Sequence, residues 1–303
     1  MRPTLRQLDY IVTTHRLGRF SLAAEALNVS QPSLSTQIAA VETELGIRIF
    51  ERGRNGVELT SKGEEFVVRA QKILSDVNDL RGAMMTGLPF GGRLRLGVLP
   101  SIGPYLLPMA IRKIHQLQPQ LRFILREEST QELERGLKSG RFDLIISTPE
   151  DHPGTLQTRL FTENLWLAVA ADDPLATSKA PARAADLQGR NFLTLDSGHR
   201  LTRITYALAS TCGGLVSDEY AGTSLESILL MAATGTGIAI LPELFAKRQA
   251  ALRSEICLRP LQIDGADREL MLISRRQSAD DDGASMLAKV LNQTAAELGI
   301  EQT

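Results

Sequence analysis

Residues 20–46 read FSLAAEALNVSQPSLSTQIAAVETELG, and the rest of the chain is understood from this stretch. Leu22, Ala23, Ala26 and Leu27 recur at helical spacing, Asn28-Val29-Ser30 interrupts the pattern, and a second helix is predicted behind the break. Ser30 is a strong N-cap, and Pro32 suits the first helical turn. Leu34, Ile38, Val41 and Leu45 then repeat with a period near 3.6, and Gly46 follows as a stop. One face of this helix must pack inward. The other carries Gln31, Ser33, Ser35, Thr36 and Gln37, which are hydroxyl and amide side chains near a helix N-terminus. Such a face suits a duplex: the major groove admits a helix, amides pair with adenine edges, and hydroxyls or N-terminal amides hold phosphate. An ordinary amphipathic helix pair with a solvated polar face carries the same pattern.

The next residues favour the duplex. Residues 47–52 form a short strand-like run, Gly53-Arg54-Asn55-Gly56 turns, and Val57-Glu58-Leu59-Thr60 returns. Asn-Gly between such runs signals a hairpin. Arg52 and Arg54 sit on it, beside the helix pair in sequence. A winged helix-turn-helix is the economical reading, with the arginines on phosphates or in a minor groove.

The ordered motif AA-x-x-L-x-x-SQP-x-LS-x-QI, followed by VE-x-ELG and a basic wing, resembles the N-terminal domain of LysR-type transcriptional regulators. The resemblance implies that Ser30, Gln31, Pro32, Ser33, Ser35, Thr36 and Gln37 lie at the DNA-reading positions. Thr36 stands where many members carry arginine, which puts the operator preference apart from theirs.

A chain of 303 residues is long enough for about two domains. Its 43% hydrophobic and 23% charged content is that of a globular protein. The formal net charge of -1 excludes a protein that binds nucleic acid through overall basicity, but not one small DNA-binding domain on a neutral body. Affinity for DNA would come from local arginines and from pairing of subunits. Charges at Arg2, Arg6, Asp9, Arg16 and Arg19 break up the N-terminus, so no secretory signal is read there. The uncharged stretch 227–242 is too short to span a bilayer. These features point to the cytoplasm, with no membrane partner. Cys212 and Cys257 form no disulfide framework, and four histidines with two cysteines show no metal-ligand spacing, so neither metal nor cofactor is expected.

A first helix is expected over residues 6–15, with Leu8, Ile11 and Val12 inward. Thr60 or Ser61 caps a long helix in which Phe66, Ala70, Ile73, Val77, Leu80 and Met84 alternate in steps of four and three. This is a heptad seam, read as a dimerisation helix, the other reading being a stripe packed on its own domain. Gly87-Leu88-Pro89-Phe90-Gly91-Gly92 breaks it as a hinge. The expected layout is a DNA-binding domain over residues 1–62, a linker helix over 63–90 and a regulatory domain over 91–303.

From residue 93 strands and helices alternate: strands over 93–99, 121–125 and 142–147, helices over 104–117 and 130–139. This βαβαβ order predicts a parallel sheet clad by helices. The alternation resumes with strands over 165–170, 192–195 and 238–241, helices over 201–210 and 225–233, a last strand over 269–274 and a helix over 285–298. Two α/β lobes follow, about 91–163 with 268–303, and 164–267. The family resemblance implies the same: two Rossmann-like lobes of periplasmic-binding-protein type with an effector cleft between them.

In α/β lobes, ligands meet the carboxyl ends of strands and the N-termini of the following helices. Such places are Ser101-Ile102-Gly103, Thr130, Ser147-Thr148 and Thr223-Ser224. Each on its own is equally a plain N-cap. Their convergence on one cleft is implied by the family fold.

LGVLPSIGPYLLP, LDSGHRLTR and GTSLESILLMAATGTGIAILP further resemble the OxyR branch of the family, which senses peroxide. In that branch the residue after Gly-His is the reactive cysteine, and the resolving cysteine lies nine residues later. Here those positions hold Arg200 and Ala209. Ser101, Thr130 and His199 match pocket positions. A redox switch would therefore need another thiol. Ser101, His199 and an acid could be drawn as a hydrolytic triad, yet no GxSxG elbow is present, and no enzyme is expected. The leading reading is a regulator governed by a small-molecule effector, with an organic anion suggested by Arg200 beside a helix N-terminus. Promoter DNA, RNA polymerase and a homodimer or homotetramer are the implied partners.

Overall fold

The computed structural model describes residues 3–53, 56–86, 88–222, 224–249, 252–275 and 281–300. Two compact units emerge, one centred on residues 1–91 and the other on 92–135 with 143–303. Arg54 and Thr223 lie outside the described residues, as does the side chain of Arg52.

The first unit opens with α1, Leu5–Leu17, started by a reciprocal capping box between Thr4 and Gln7. Helix α2, Phe20–Ala26, and α3, Gln31–Leu45, follow. Asn28 stands between them with φ 53°, a left-handed conformation that asparagine tolerates better than most residues. The core gathers Ile11 from α1, Ala23 and Ala24 from α2, and Leu34, Ile38 and Val41 from α3. Leu8 and Ile11 are buried as expected, and Val12 is half-buried. Strands β1, Phe50–Gly53, and β2, Gly56–Leu59, form the wing, with Phe50 opposite Leu59. Residues 47–49 are not part of it. A Glu42 carboxylate oxygen instead accepts the amides of Ile49 (2.7 Å) and Phe50 (3.2 Å), which turns the chain before the strand begins.

Helix α4, Ser61–Thr86, is capped by Thr60, whose hydroxyl accepts the Gly63 amide at 2.9 Å. A Cβ at Gly63 would stand 2.1 Å from the Ile49 carbonyl oxygen, so only glycine lets α4 approach this closely. The expected seam on α4 divides. Ala70 is buried at 1% exposure and Phe66 packs against the domain core, so these two serve their own fold. Ile73, Leu80 and Met84 are exposed at 45%, 61% and 76%.

The second unit is built on one nine-stranded mixed sheet. In the first lobe β3 (Arg93–Val98), β4 (Arg122–Glu127) and β5 (Leu144–Ser147) run parallel, linked through α5 (Gly103–Leu117) and α6 (Thr130–Lys138). In the second, β7 (Asn191–Leu195), β8 (Leu215–Gly222) and β9 (Ile238–Pro242) run parallel, linked through α7 (Arg200–Cys212) and α8 (Leu225–Ala233).

The parallel order expected over residues 93–147 holds, and the strands that join the lobes add antiparallel pairings. Strand β6, Leu156–Ala170, pairs antiparallel with β11, Asp267–Ser274, as far as Asn164. From Leu165 onward it pairs antiparallel with β9 and with β10, Ile256–Pro260. A chain that crosses between lobes and returns needs no crossover helix, so antiparallel neighbours result. Strand β6 also starts nine residues before the apolar run at Leu165, because its first part is half-exposed and polar. Strands β8 and β10 and the short helix α9, Glu243–Gln249, have no counterpart in the sequence reading. Helix α10, Asp281–Glu297, ends the described fold.

Candidate functional site

Two regions carry the polar chemistry. The first is the N-terminal half of α3. The Ser30 hydroxyl accepts the Ser33 amide at 3.3 Å, and Pro32 sits in the first turn. Leu34 and Ile38 are buried at 0% and 2% exposure, which turns Gln31, Ser33, Ser35, Thr36 and Gln37 outward, and all five are exposed. Two of these side chains have local partners. The Thr36 hydroxyl donates to the Pro32 carbonyl at 2.9 Å, and the Gln37 carbonyl oxygen accepts from the Gln7 amide nitrogen at 3.1 Å. Gln7 carries no motif of its own and was not anticipated.

The second region is a cavity of about 310 Å³ in the α/β unit. Its wall includes Ser101 after β3, Glu127 at the end of β4, Thr130 at the start of α6, His199 and Arg200 at the start of α7, and Ser224 before α8. Strand ends and helix starts of both lobes thus meet there. Leu195, Leu201, Leu225 and Phe245 give the wall apolar ground. The Thr130 hydroxyl accepts the Arg200 amide at 3.2 Å, which ties α6 of one lobe to α7 of the other. Burial holds the His199 imidazole below its ordinary range, against the pull of Asp196 at 3.8 Å.

The wall also carries one end of a buried ion pair, Arg268, that the sequence did not announce. Arg268, on β11, donates through Nε and Nη2 to Glu163 Oε2 at 2.9 and 2.7 Å, and through Nη2 to the Ser101 hydroxyl at 2.7 Å. The other Glu163 oxygen accepts the Leu244 amide at 2.8 Å. Glu163 and Arg268 face each other in the β6–β11 register. A charged pair opposite in adjacent strands is a signal, but no local pattern brings those two strands together.

Four expected site positions stand elsewhere. Ser147 is fully buried and bonds His152 Nε2 at 2.9 Å, and the Thr148 hydroxyl donates to Asp151 at 2.8 Å. Neither is part of the cavity wall, because their polar groups close the turn after β5. Ile102 and Gly103 are buried beneath it. Arg200 does line the cavity. Its guanidinium faces Glu150 at 3.7 Å and Asp151 at 3.9 Å, so its charge is matched across the cleft. Arg203 pairs with the same Asp151.

Cys212 lacks the setting of a reactive thiol. Cys212 is 5% exposed and burial pushes its thiol up, while half-buried Cys257 contacts the Ala176 carbonyl. Among the described residues no group of His, Cys, Asp and Glu is arranged to hold a metal, and no helix is long and apolar enough to cross a membrane.

A helix-turn-helix with a wing, followed by two α/β lobes around a cavity, defines a ligand-responsive DNA-binding regulator. The bacterial regulatory helix-turn-helix protein, lysR family, matches residues 5–64, and the LysR substrate binding domain matches residues 89–296. The chain belongs to the LysR family of transcriptional regulators. It is 34% identical over 273 residues to a hydrogen peroxide-inducible genes activator of Dickeya chrysanthemi, covering 89% of each chain. It is 35% identical over 242 residues, 79% of each, to the DNA-binding transcriptional dual regulator OxyR of Escherichia coli. A full-length OxyR variant from Pseudomonas aeruginosa has the same fold, with a TM-score of 0.74 at 30% identity, over 95% of this chain and 97% of that one. These relatives are transcription regulators.

Proposed function

We propose that this regulator reads operator DNA with Gln31, Ser33, Ser35 and Gln37, positions it with Ser30, Pro32, Thr36 and the wing arginines Arg52 and Arg54, and answers to a small molecule held between its lobes. The observation that carries the reading is the two-sidedness of α3: Leu34, Ile38 and Val41 are committed to the core, and the polar residues between them are exposed. The effector contacts are Ser101, Thr130, His199 and Ser224, which line one cavity from both lobes. In this reading the functional bounds are residues 1–62, 63–90 and 91–303.

Subunits pair through the outer stripe of α4, exposed Ile73, Leu80 and Met84 with half-buried Val77, giving a dimer or a dimer of dimers. Two recognition helices then meet half-sites about a helical turn or more apart. The protein works in the cytoplasm at promoters, beside RNA polymerase, and catalyses no reaction.

Footprinting on the chain's own promoter region, with and without candidate effectors, tests this. A protected, dyad-symmetric site that moves or changes affinity with a small molecule is the expected result. No protection above non-specific DNA would reject the interface. The likeness to peroxide-inducible activators favours a second reading, a redox response. It needs a thiol with an accessible, stabilised thiolate, and the burial of Cys212 speaks against that residue.

A further inference from the structure

The charges around the cavity do not cancel. Arg268 is matched by Glu163, Arg200 by Glu150 and Asp151, and Glu226 by Arg253 at 2.7 Å. Among the described charged residues of the wall, Glu127 alone has no oppositely charged partner. It ends β4 and leans over the start of α5. An added Cβ on Gly103 would stand 2.9 Å from its Oε1, so the glycine makes the room that the carboxylate occupies.

Glu127 borders aromatic ground. The rings of Tyr105 and Phe245, both on the cavity wall, meet edge to face with centroids 6.0 Å apart. The Tyr105 hydroxyl accepts from Gln249 at 3.4 Å, which leaves its own proton free to donate. Burial pushes this phenol up, against the hydrogen bond from Gln249, and Glu127 and Glu226 share the cavity wall with it. Glu127 is exposed, and the part of it that the wall shields pushes its carboxyl up.

A carboxylate without a counterion, on the same cavity wall as the Tyr105 ring and several apolar side chains, matches one kind of group. An ammonium supplies the missing charge, is attracted to aromatic faces and leaves the apolar wall to a hydrocarbon body. A carboxylate ligand would meet the uncancelled charge of Glu127, while both arginines are already occupied. We infer that the effector is a small amphipathic amine, its protonated nitrogen between Glu127 and the Tyr105 ring and its apolar part against Leu195, Leu225 and Phe245. This inference rests on the reading of the cavity as the effector site.

Three probes of one size separate the charge from the shape: benzylamine, benzyl alcohol and benzoate, titrated calorimetrically into the full-length protein at neutral pH. Benzylamine should bind at least fivefold more tightly than benzyl alcohol, and benzoate most weakly. Glu127→Gln should erase the benzylamine advantage, and Glu127→Lys should turn the order toward benzoate. Each variant's thermal transition shows whether it remains folded. Benzoate binding as tightly as benzylamine, a benzylamine preference that survives Glu127→Gln, or no binding of benzylamine at millimolar concentration would overturn the inference. Pro104→Trp, on an exposed part of the wall, separates this from the cavity reading. If benzoate wins and Pro104→Trp abolishes it, the cavity stands and the amine falls; if binding survives Pro104→Trp, the ligand sits elsewhere and both fall.

Discussion

The Gln7 side chain points its amide nitrogen at the Gln37 carbonyl oxygen, 3.1 Å away. Gln7 is itself fixed, because its own carbonyl oxygen accepts the Thr4 amide at 2.9 Å in the α1 capping box. The chain Thr4, Gln7, Gln37 therefore decides which end of an exposed glutamine faces outward: the oxygen is used, and the two N–H donors remain. Donors read acceptors, so at the proposed interface Gln37 would offer its N–H groups to N7 and O6 or O4 atoms of the major groove.

The first expectation follows from that orientation. Gln37→Ala and Gln31→Ala should each cost about 1–3 kcal/mol against the cognate operator, with little change on random DNA. Gln7→Leu touches no DNA, yet it frees Gln37 to rotate and should broaden base preference at one operator position. Selection from a randomised operator library reads this directly. An unchanged preference in Gln7→Leu would remove the positioning role.

The two halves of the α4 stripe should behave oppositely. Ala70 is a buried core position, so Ala70→Asp places an unpaired charge in the domain and should unfold it. Leu80 is 61% exposed within the chain, so Leu80→Asp should leave the thermal transition intact while lowering the mass seen by sedimentation and weakening operator binding. A wild type that sediments as a monomer at micromolar concentration would end the pairing assignment.

Peroxide should not switch the protein through a bond between Cys212 and Cys257. The first is in the core of the second lobe, with its thiol pushed up by burial, and thiolate is the reacting form. Cys212→Ser with Cys257→Ser should keep operator affinity and effector response. Mass spectrometry after a brief peroxide pulse checks it, a rapid Cys212–Cys257 linkage with altered transcription being the contrary result.

The parts legible in the sequence were those fixed by local pattern. The period of Leu34, Ile38 and Val41, with Ser30 before and Gly46 after, placed α3 at its observed bounds, Gln31–Leu45. Buried parallel strands such as β5 and β9 are apolar throughout and stand out for that reason. The first half of β6 does not, because the polar run Gln157, Thr158 and Arg159 interrupts the apolar pattern. Arg200 was correctly set at a helix start, but the acids that face it, Glu150 and Asp151, come from a separate turn. Arg268 was invisible for the same reason: a lone arginine in a strand gains meaning only from the strand beside it. Glu127 lies two residues past the strand read over 121–125, and its lack of a partner is a property of the assembled wall.

His199 gives a pH expectation. Its folded pKa lies below the ordinary histidine value, chiefly through burial. Between the two values the unfolded chain takes up a proton that the fold resists, so its contribution to stability is full above the ordinary value and is lost as the pH falls. The unfolding free energy of the wild type should therefore drop more than that of His199→Gln between pH 7.5 and 5.5. Parallel urea titrations at each pH make the comparison, and equal drops would place the imidazole in solvent.

The last expectation concerns the ion pair that links the crossing strands. Glu163 is fully buried and Arg268 is 6% exposed, so each charge depends on the other and on the Leu244 amide and Ser101 hydroxyl. Removing one partner strands the other in a low-dielectric interior. Glu163→Leu and Arg268→Met should each cost about 3–5 kcal/mol, the range for breaking a buried pair from one side. The double variant removes both desolvation penalties together and fills the space with apolar atoms. It should recover most of that loss, so the double-mutant cycle reports strong coupling. The coupling should reach the cavity as well, because Arg268 holds the Ser101 hydroxyl at the wall. A double variant restored in stability but blunted in effector response would separate the pair's structural role from its positioning role. Additive single losses, measured by chemical denaturation, would mean that the two residues act independently and would dissolve the link between β6, β11 and the cavity.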